Sequence, residues 1–179
     1  MAADTDGRHR RSIRLPGYNY ASAGAYFVTI VTKQRECLFT DDAMQTIVDE
    51  SWRWVGEQYD HVELDYYVVM PNHLHAILSI SEPRRGGSRT APTEPQGALK
   101  PLGRLIGAFK TVSTQRVNAL RNTPGAPVWQ RDFFDRIIRN EAELNRIRQY
   151  ILDNPANWNL DPENPVATLE SASAALFPC

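Results

Sequence analysis

Cysteine is almost missing from this sequence: Cys37 and Cys179 are the two present, which is no disulfide framework and fits no metal-ligand spacing. Both read as free thiols. Long apolar runs are missing too. No stretch approaches the ~18 apolar residues of a membrane span, and Met1 to Arg14 carries four arginines without the apolar segment of a signal peptide. The expectation is a soluble, cytoplasmic protein with no membrane partner. A net basic charge is also lacking: the formal net charge is -1, whereas nucleic-acid-binding proteins usually carry a basic surplus. Apolar content is not lacking, and 179 residues with 42% hydrophobic composition suffice for one domain with a real core.

The distribution of charge reverses the impression left by its total. Between Asp41 and Asp65 eight acidic residues face one basic residue, Arg53, whereas between Arg84 and Arg148 thirteen basic residues face five acidic ones. A polyanion responds to local field more than to net charge. Solvated helix faces produce the same pattern, so charge alone leaves both readings open.

Hydrophobic periodicity supplies the elements. Ala25 to Thr32 alternates and is rich in β-branched and aromatic residues, which predicts a strand. Thr40 is placed to cap a helix whose apolar positions Met44, Ile47, Val48 and Val55 recur at helical spacing to about Gln58. Val62, Leu64, Tyr66 and Val68 alternate along a second strand to Met70, and after Pro71-Asn72 a third runs from His73 to Ile80; so short a connection implies antiparallel neighbours. Glu82 to Ala98 is rich in proline and glycine and reads as a loop, expected to be mobile over 81–98. Leu102, Leu105, Ile106, Phe109, Val112 and Leu120 mark a helix of roughly Lys100 to Arg121, stopped by Asn122-Thr123-Pro124-Gly125. Val128 to Arg139 suits one or two short strands. A last helix starts at Asn140 as N-cap with Glu143 three residues on, and ends before Pro155.

The succession is β-α-β-β-α-β followed by a helix. It predicts an α+β, ferredoxin-like core, an antiparallel sheet with helices on one face plus a C-terminal helix. Residues 1–15 read as a basic arm, 16–158 as the domain, and 159–179 as a loose tail.

Two pairs of residues offer chemistry. His73 and His75 are two apart on a predicted strand, so both imidazoles project from one face. Two neutral imidazoles suit one divalent metal ion but leave its shell short of at least one protein ligand. Tyr150 and Asn154 lie four apart on the last helix, one turn along the same face, beside a core stripe of Leu144, Ile147 and Ile151. A packed strand and a helix terminus contain the same residue types, so neither pair decides the matter alone.

Together with their surroundings they carry a resemblance. The strings Val69-Met70-Pro71-Asn72-His73-Leu74-His75, Leu102-Gly103-Arg104 with Gly107-Ala108-Phe109-Lys110, Val128-Trp129-Gln130-Arg131, and Tyr150-Ile151-Leu152-Asp153-Asn154-Pro155 resemble, in order, those of the REP-associated tyrosine transposases and related single-strand insertion-sequence transposases of the HUH type. The likeness spans about Arg14 to Trp158. It implies a metal-dependent endonuclease and strand transferase acting on single-stranded or hairpin DNA. In that class His73 and His75 match the metal pair, Tyr150 the nucleophile and Asn154 the third metal ligand. The insertion-sequence branch commonly has Gln at the last position and the REP-associated branch Asn before Pro; the shorter side chain leaves room for a bridging water.

The implied chemistry is coherent. An amide oxygen and two imidazoles leave positions open on Mg²⁺ or Mn²⁺ for phosphate oxygens. Tyrosine, with a pKa near 10, needs a nearby cation to become a good nucleophile. Attack would leave a 5′-phosphotyrosine and a free 3′ hydroxyl. For DNA the expected contacts are Arg8, Arg10, Arg11 and Arg14 in the arm, and Arg84, Arg85, Arg104, Lys110 and Arg116 along the chain, all salt-sensitive. Phe133, Phe134, Trp129 or Tyr18 are candidates for base stacking, with core packing as the competing role. Either a monomer or a homodimer is expected. A domesticated hairpin-binding protein without cleavage is the alternative. A histidine-triad hydrolase would need a third histidine where Ile77 stands.

Overall fold

The computed structural model of the chain describes residue 20 and residues 22–81 and 100–167. The arginines expected in the arm, Arg84 and Arg85, the loop over 82–98, Tyr18 and Cys179 lie outside the described residues. Among the described residues four strands and three α-helices follow one another as β1 (Gly24–Val31), α1 (Asp42–Gln58), β2 (Val62–Met70), β3 (His73–Ile80), α2 (Leu102–Arg121), β4 (Phe134–Ile138) and α3 (Glu141–Asp153). The strands form one sheet in the order β2-β3-β1-β4, antiparallel at every junction. This is the ferredoxin-like arrangement that the element order predicts.

Local signals set the element ends. Asp41, rather than Thr40, caps α1, its carboxylate accepting from the Met44 N–H at 2.9 Å. Asn140 caps α3 in the same way, accepting from the Glu143 N–H and satisfying an otherwise orphaned donor. Asn122, at φ 54° in the left-handed region, terminates α2, a conformation Asn tolerates better than most residues. The segment expected to hold one or two strands forms β4 plus a single bridge between Thr32 and Trp129.

Both faces of the sheet are covered. Tyr26, Val28 and Ile30 of β1 and Leu74, Ala76 and Leu78 of β3 join α1 and α2 in the main core, around the fully buried Trp52, Phe39 and Phe109. The alternate residues, Phe27 and Ile77, meet Ile147 and Ile151 of α3 in a smaller second core. So α1 and α2 share one face and α3 takes the other. Each buried isoleucine contributes about 1.5–3 kcal/mol to holding α3 there.

Besides the α1 cap, three sequence expectations differ from the structure. First, β2 does not present Val62, Leu64, Tyr66 and Val68 on one face. A bulge between Leu64 and Tyr67 adds one residue against β3, so Val62, Leu64, Tyr67 and Val69 meet the main core while Val68 meets the second; an extra residue inverts the phase of a period-two pattern. Second, Leu120 is exposed, and the buried stripe of α2 passes instead through Ser113, Val117 and Asn118. Third, residues 159–167 are no loose tail: the chain turns at Trp158–Leu160 and buries Asp161, Glu163 and Asn164.

Candidate metal centre and nucleophile

His73 and His75 open β3 just after the Pro71-Asn72 turn, paired with Val31 and Thr29 of β1. Period-two alternation turns both imidazoles to the α3 face, as expected; their ring centroids lie 4.4 Å apart and both side chains are buried. Each ring is held from behind. His73 Nδ1 lies 2.8 Å from the Asn72 side-chain oxygen, and His75 Nδ1 lies 2.9 Å from the Thr29 hydroxyl. Phe27 stacks on His75 with ring centroids 5.4 Å apart. Fixing one ring nitrogen by hydrogen bonding aims the other at a ligand.

Asn72 also fixes the tautomer of His73. Its amide nitrogen donates to the carbonyls of Glu163, at 2.7 Å, and Arg35, at 3.1 Å, so its oxygen faces His73 and must accept the Nδ1 proton. His73 Nε2 is then a bare lone pair. It points at Asp161 Oδ2, 3.6 Å away, with His75 Nε2 at 3.9 Å from the same oxygen. His73 Nε2 and Asp161 Oδ2 are both buried without a hydrogen-bond partner. Two acceptors facing each other inside a protein cost free energy unless a cation or proton lies between them.

Electrostatics keeps His73 and Asp161 in ligand form. Burial, and then the neighbouring His75, push His73 well below the usual imidazole range, so it is neutral. Burial alone would raise Asp161, but His75, His73 and the N–H of Glu163 outweigh it and hold the carboxyl below its usual range. The Glu163 N–H donates to Asp161 Oδ1 at 2.7 Å, and Arg35 pairs with Glu163 at 3.1 Å. Gln34 and Arg35 both adopt left-handed backbone, at φ 56° and 58°, a conformation that costs non-glycine residues of order 1 kcal/mol or more. That strain sits where the Arg35 carbonyl meets Asn72.

His73, His75 and Asp161 offer ligand atoms that all lie within 4.8 Å of one another. Two imidazoles and a carboxylate, with orphaned lone pairs converging, fit a divalent transition metal; imidazole combined with oxygen donors suits Mn²⁺ better than Mg²⁺. Asn154 is buried as well, and its side-chain oxygen also lacks a partner.

Tyr150 reaches the same point from α3. Its hydroxyl lies 3.1 Å from His75 Nε2, and its ring stands edge-on to Phe27 at 6.1 Å. Burial, with the Asp161 charge behind it, pushes the phenol up to about 12, while a hydrogen bond from the Asn154 side chain works the other way. The i, i+4 spacing thus sets the Asn154 side chain against the Tyr150 phenol, whose hydroxyl meets His75.

The expected DNA contacts on α2 are placed elsewhere. Arg104 is exposed and Arg116 reaches Ser51 of α1 at 3.4 Å, and α2 packs on the sheet face opposite the histidines. Lys110 donates to the carbonyls of Gln130, Arg131 and Asp132 at 2.8, 3.2 and 2.9 Å. Burial pushes it down to about 8, with Asp132 opposing. Asp161, Asn72 and Thr29 escaped the sequence reading. One trace of Asp161 existed: it and Glu163 are the only charged residues between Asn154 and Ala167.

No protein-family model matches the chain. Among solved structures, a REP-associated tyrosine transposase bound to a REP hairpin is similar at a TM-score of 0.54 and 19% identity, covering 87% of this chain and 82% of that one. A transposase-type protein of Deinococcus radiodurans is similar at a TM-score of 0.47 and 20% identity, over 76% and 95% of the two chains. The first of these likenesses concerns the fold: the chain has the fold of that REP-associated tyrosine transposase, so the resemblance carried by the sequence motifs holds at the level of the fold. The chain belongs to one family with an uncharacterised protein of Haemophilus influenzae, with which it is 36% identical over 167 residues, 86% of this chain and 92% of that protein. Among the described residues no helix is long and apolar enough to cross a membrane.

Proposed function

We propose that this protein is a transposase-like, metal-dependent nuclease and strand transferase that processes single-stranded or hairpin DNA through Tyr150. The observation that carries this reading is the Tyr150 hydroxyl lying 3.1 Å from His75 Nε2, a member of the buried His73, His75 and Asp161 set. A nucleophile beside a ligand atom is where an attacking oxygen must stand to reach a phosphate held at that centre.

His73, His75 and Asp161 would hold Mn²⁺ or Mg²⁺, with the Asn154 oxygen available as a further donor directly or through water. When bound, the cation supplies positive charge that polarises the phosphate and favours the phenolate. The chain's own residues do the rest. Asn72 and Thr29 aim the imidazoles, the second core anchors α3, and Asn154 hydrogen-bonds the phenol oxygen in the direction that favours its ionisation. Tyr150 Oη forms a bond to phosphorus as the bond to the 3′ oxygen breaks. The products are a 5′-phosphotyrosine and a free 3′ hydroxyl, and reversal by another 3′ hydroxyl rejoins the strand.

The test is covalent capture. A labelled DNA hairpin with single-stranded flanks is incubated with wild type or Tyr150→Phe, in Mn²⁺, Mg²⁺ or EDTA, and resolved on a denaturing gel. A shifted adduct is expected from wild type with metal only. An adduct from the phenylalanine variant would mean that another residue attacks; no cleavage by wild type on any hairpin would leave a binding protein without nuclease activity.

A further inference from the structure

Phe134, Thr29 and His75 stand in one row across three strands, because Thr29 is the register partner of His75 on β3 and of Phe134 on β4. Cross-strand partners project to the same face, so Phe134 shares the face of the histidines and Tyr150. Adjacent strands are about 4.8 Å apart, which sets Phe134 roughly 10 Å from His75 along the row. That is one nucleotide's reach from the metal centre.

On this row Phe134 is unlike a core residue. It is 44% exposed at the edge of the sheet, and its contact is edge-on to Phe27 at 6.3 Å and 68°. Phe27 is the ring that also stacks on His75 and meets Tyr150. Among the described residues, the other two aromatics proposed for stacking are occupied. Trp129 is buried and donates to Ser113, and Phe133 packs against the main core beneath Lys110. Tyr66, which is 43% exposed, has the Arg148 guanidinium over its ring. Arg131 and Arg139 are exposed on either side of β4, and Arg136 follows Phe134 on the same strand face, its guanidinium held by Glu143 at 2.7 Å.

We propose that Phe134 is a stacking platform for an unpaired base of the nucleotide next to the scissile phosphate, with the arginines of the β4 segment beside its backbone. The proposal rests on the nuclease reading above and names a positioning residue within that site. A flat ring at an open edge, next to basic side chains, is the chemistry that binds unpaired nucleic acid without regard to sequence. Stacking holds the strand as it passes from β4 over β1 to His75 and Tyr150, and so places the phosphate before the nucleophile.

The experiment compares oligothymidylate with an abasic chain of the same length, in Mn²⁺, using Phe134→Ala, Phe134→Leu and Phe134→Trp in the otherwise unaltered protein. Circular dichroism and thermal unfolding serve as fold controls. Alanine and leucine are expected to bind oligothymidylate at least about fivefold more weakly than wild type, tryptophan to bind as well, and none to change affinity for the abasic chain. The tryptophan variant should also show fluorescence quenching by oligothymidylate beyond that of wild type. Unchanged affinity in Phe134→Ala, or full rescue by leucine, overturns the platform, because a packing residue needs bulk and not a π face. Adduct formation by wild type in the capture assay reports separately on the nuclease reading, so a stacking failure is not mistaken for a failure of the enzyme.

Discussion

The Asn72 oxygen accepts the Nδ1 proton of His73 at 2.8 Å, and that one bond decides which ring nitrogen is left for a metal. The orientation is forced, since the Asn72 amide nitrogen is committed to two backbone carbonyls.

Removing this support is expected to weaken the site more than the fold. Asn72→Ala should lower Mn²⁺ affinity about 10- to 100-fold, the usual effect of losing a residue that orients a ligand. Unfolding free energy should fall by about 1–3 kcal/mol as the carbonyls lose their donor. Calorimetric titration with Mn²⁺ and chemical denaturation measure the two; unchanged Mn²⁺ affinity would show that Asn72 does not set His73.

Asp161 Oδ2 faces the bare Nε2 of His73, and this predicts a trade of stability for binding. In Asp161→Asn the amide nitrogen can donate to His73 Nε2 while the remaining oxygen still accepts from the Glu163 N–H. Metal-free protein should therefore be as stable as wild type or gain roughly 1 kcal/mol, while stabilisation by Mn²⁺ disappears. Wild type should gain about 2.7 kcal/mol at Mn²⁺ concentrations a hundredfold above its dissociation constant. Thermal unfolding with and without Mn²⁺ decides it, and a variant stabilised by Mn²⁺ as much as wild type would remove Asp161 from the ligand set.

Glu143 gives the acid sensitivity of α3 a sign. The Arg139 N–H, foremost, holds its carboxyl below the usual value of 4.5 against the pull of burial, and the Arg136 side chain adds to this. The folded state therefore binds this proton less readily than the unfolded chain. The stabilisation is fully present above about pH 4.5 and is lost as pH falls through the folded value beneath it. Unfolding scans from about pH 6 to about pH 3 should show Glu143→Gln lacking this component; wild-type and variant curves that stay parallel would contradict the assignment.

Lys110 holds three carbonyls of the segment before β4, so its loss should be structural. Lys110→Met is expected to cost about 1–3 kcal/mol and to leave the salt dependence of DNA binding unchanged. A phosphate contact would instead reduce the salt slope by about 1. Binding isotherms across salt concentrations separate the two roles.

Much of this protein is decided by patterns a few residues long. Alternation in Ala25 to Thr32 and His73 to Ile80 forms strands, and period two alone puts His73 and His75 on a common face. Helical period puts Tyr150 and Asn154 together one turn apart, and Asn140 with Glu143 starts their helix. Those constraints are local, so they survive whatever the rest of the chain does.

Tertiary structure decided the rest. The bulge in β2 depends on its partner strand and inverts a pattern that otherwise reads as regular. The packing of α3 on the opposite face from α1 and α2 arises because the sheet has two apolar faces and only one was already covered. Above all, Asp161 becomes a candidate ligand only because the chain turns back at Trp158–Leu160 and Asn72 grips the Glu163 carbonyl. No periodicity links residue 161 to residue 73, because their meeting is a property of packing between distant segments and not of either segment alone.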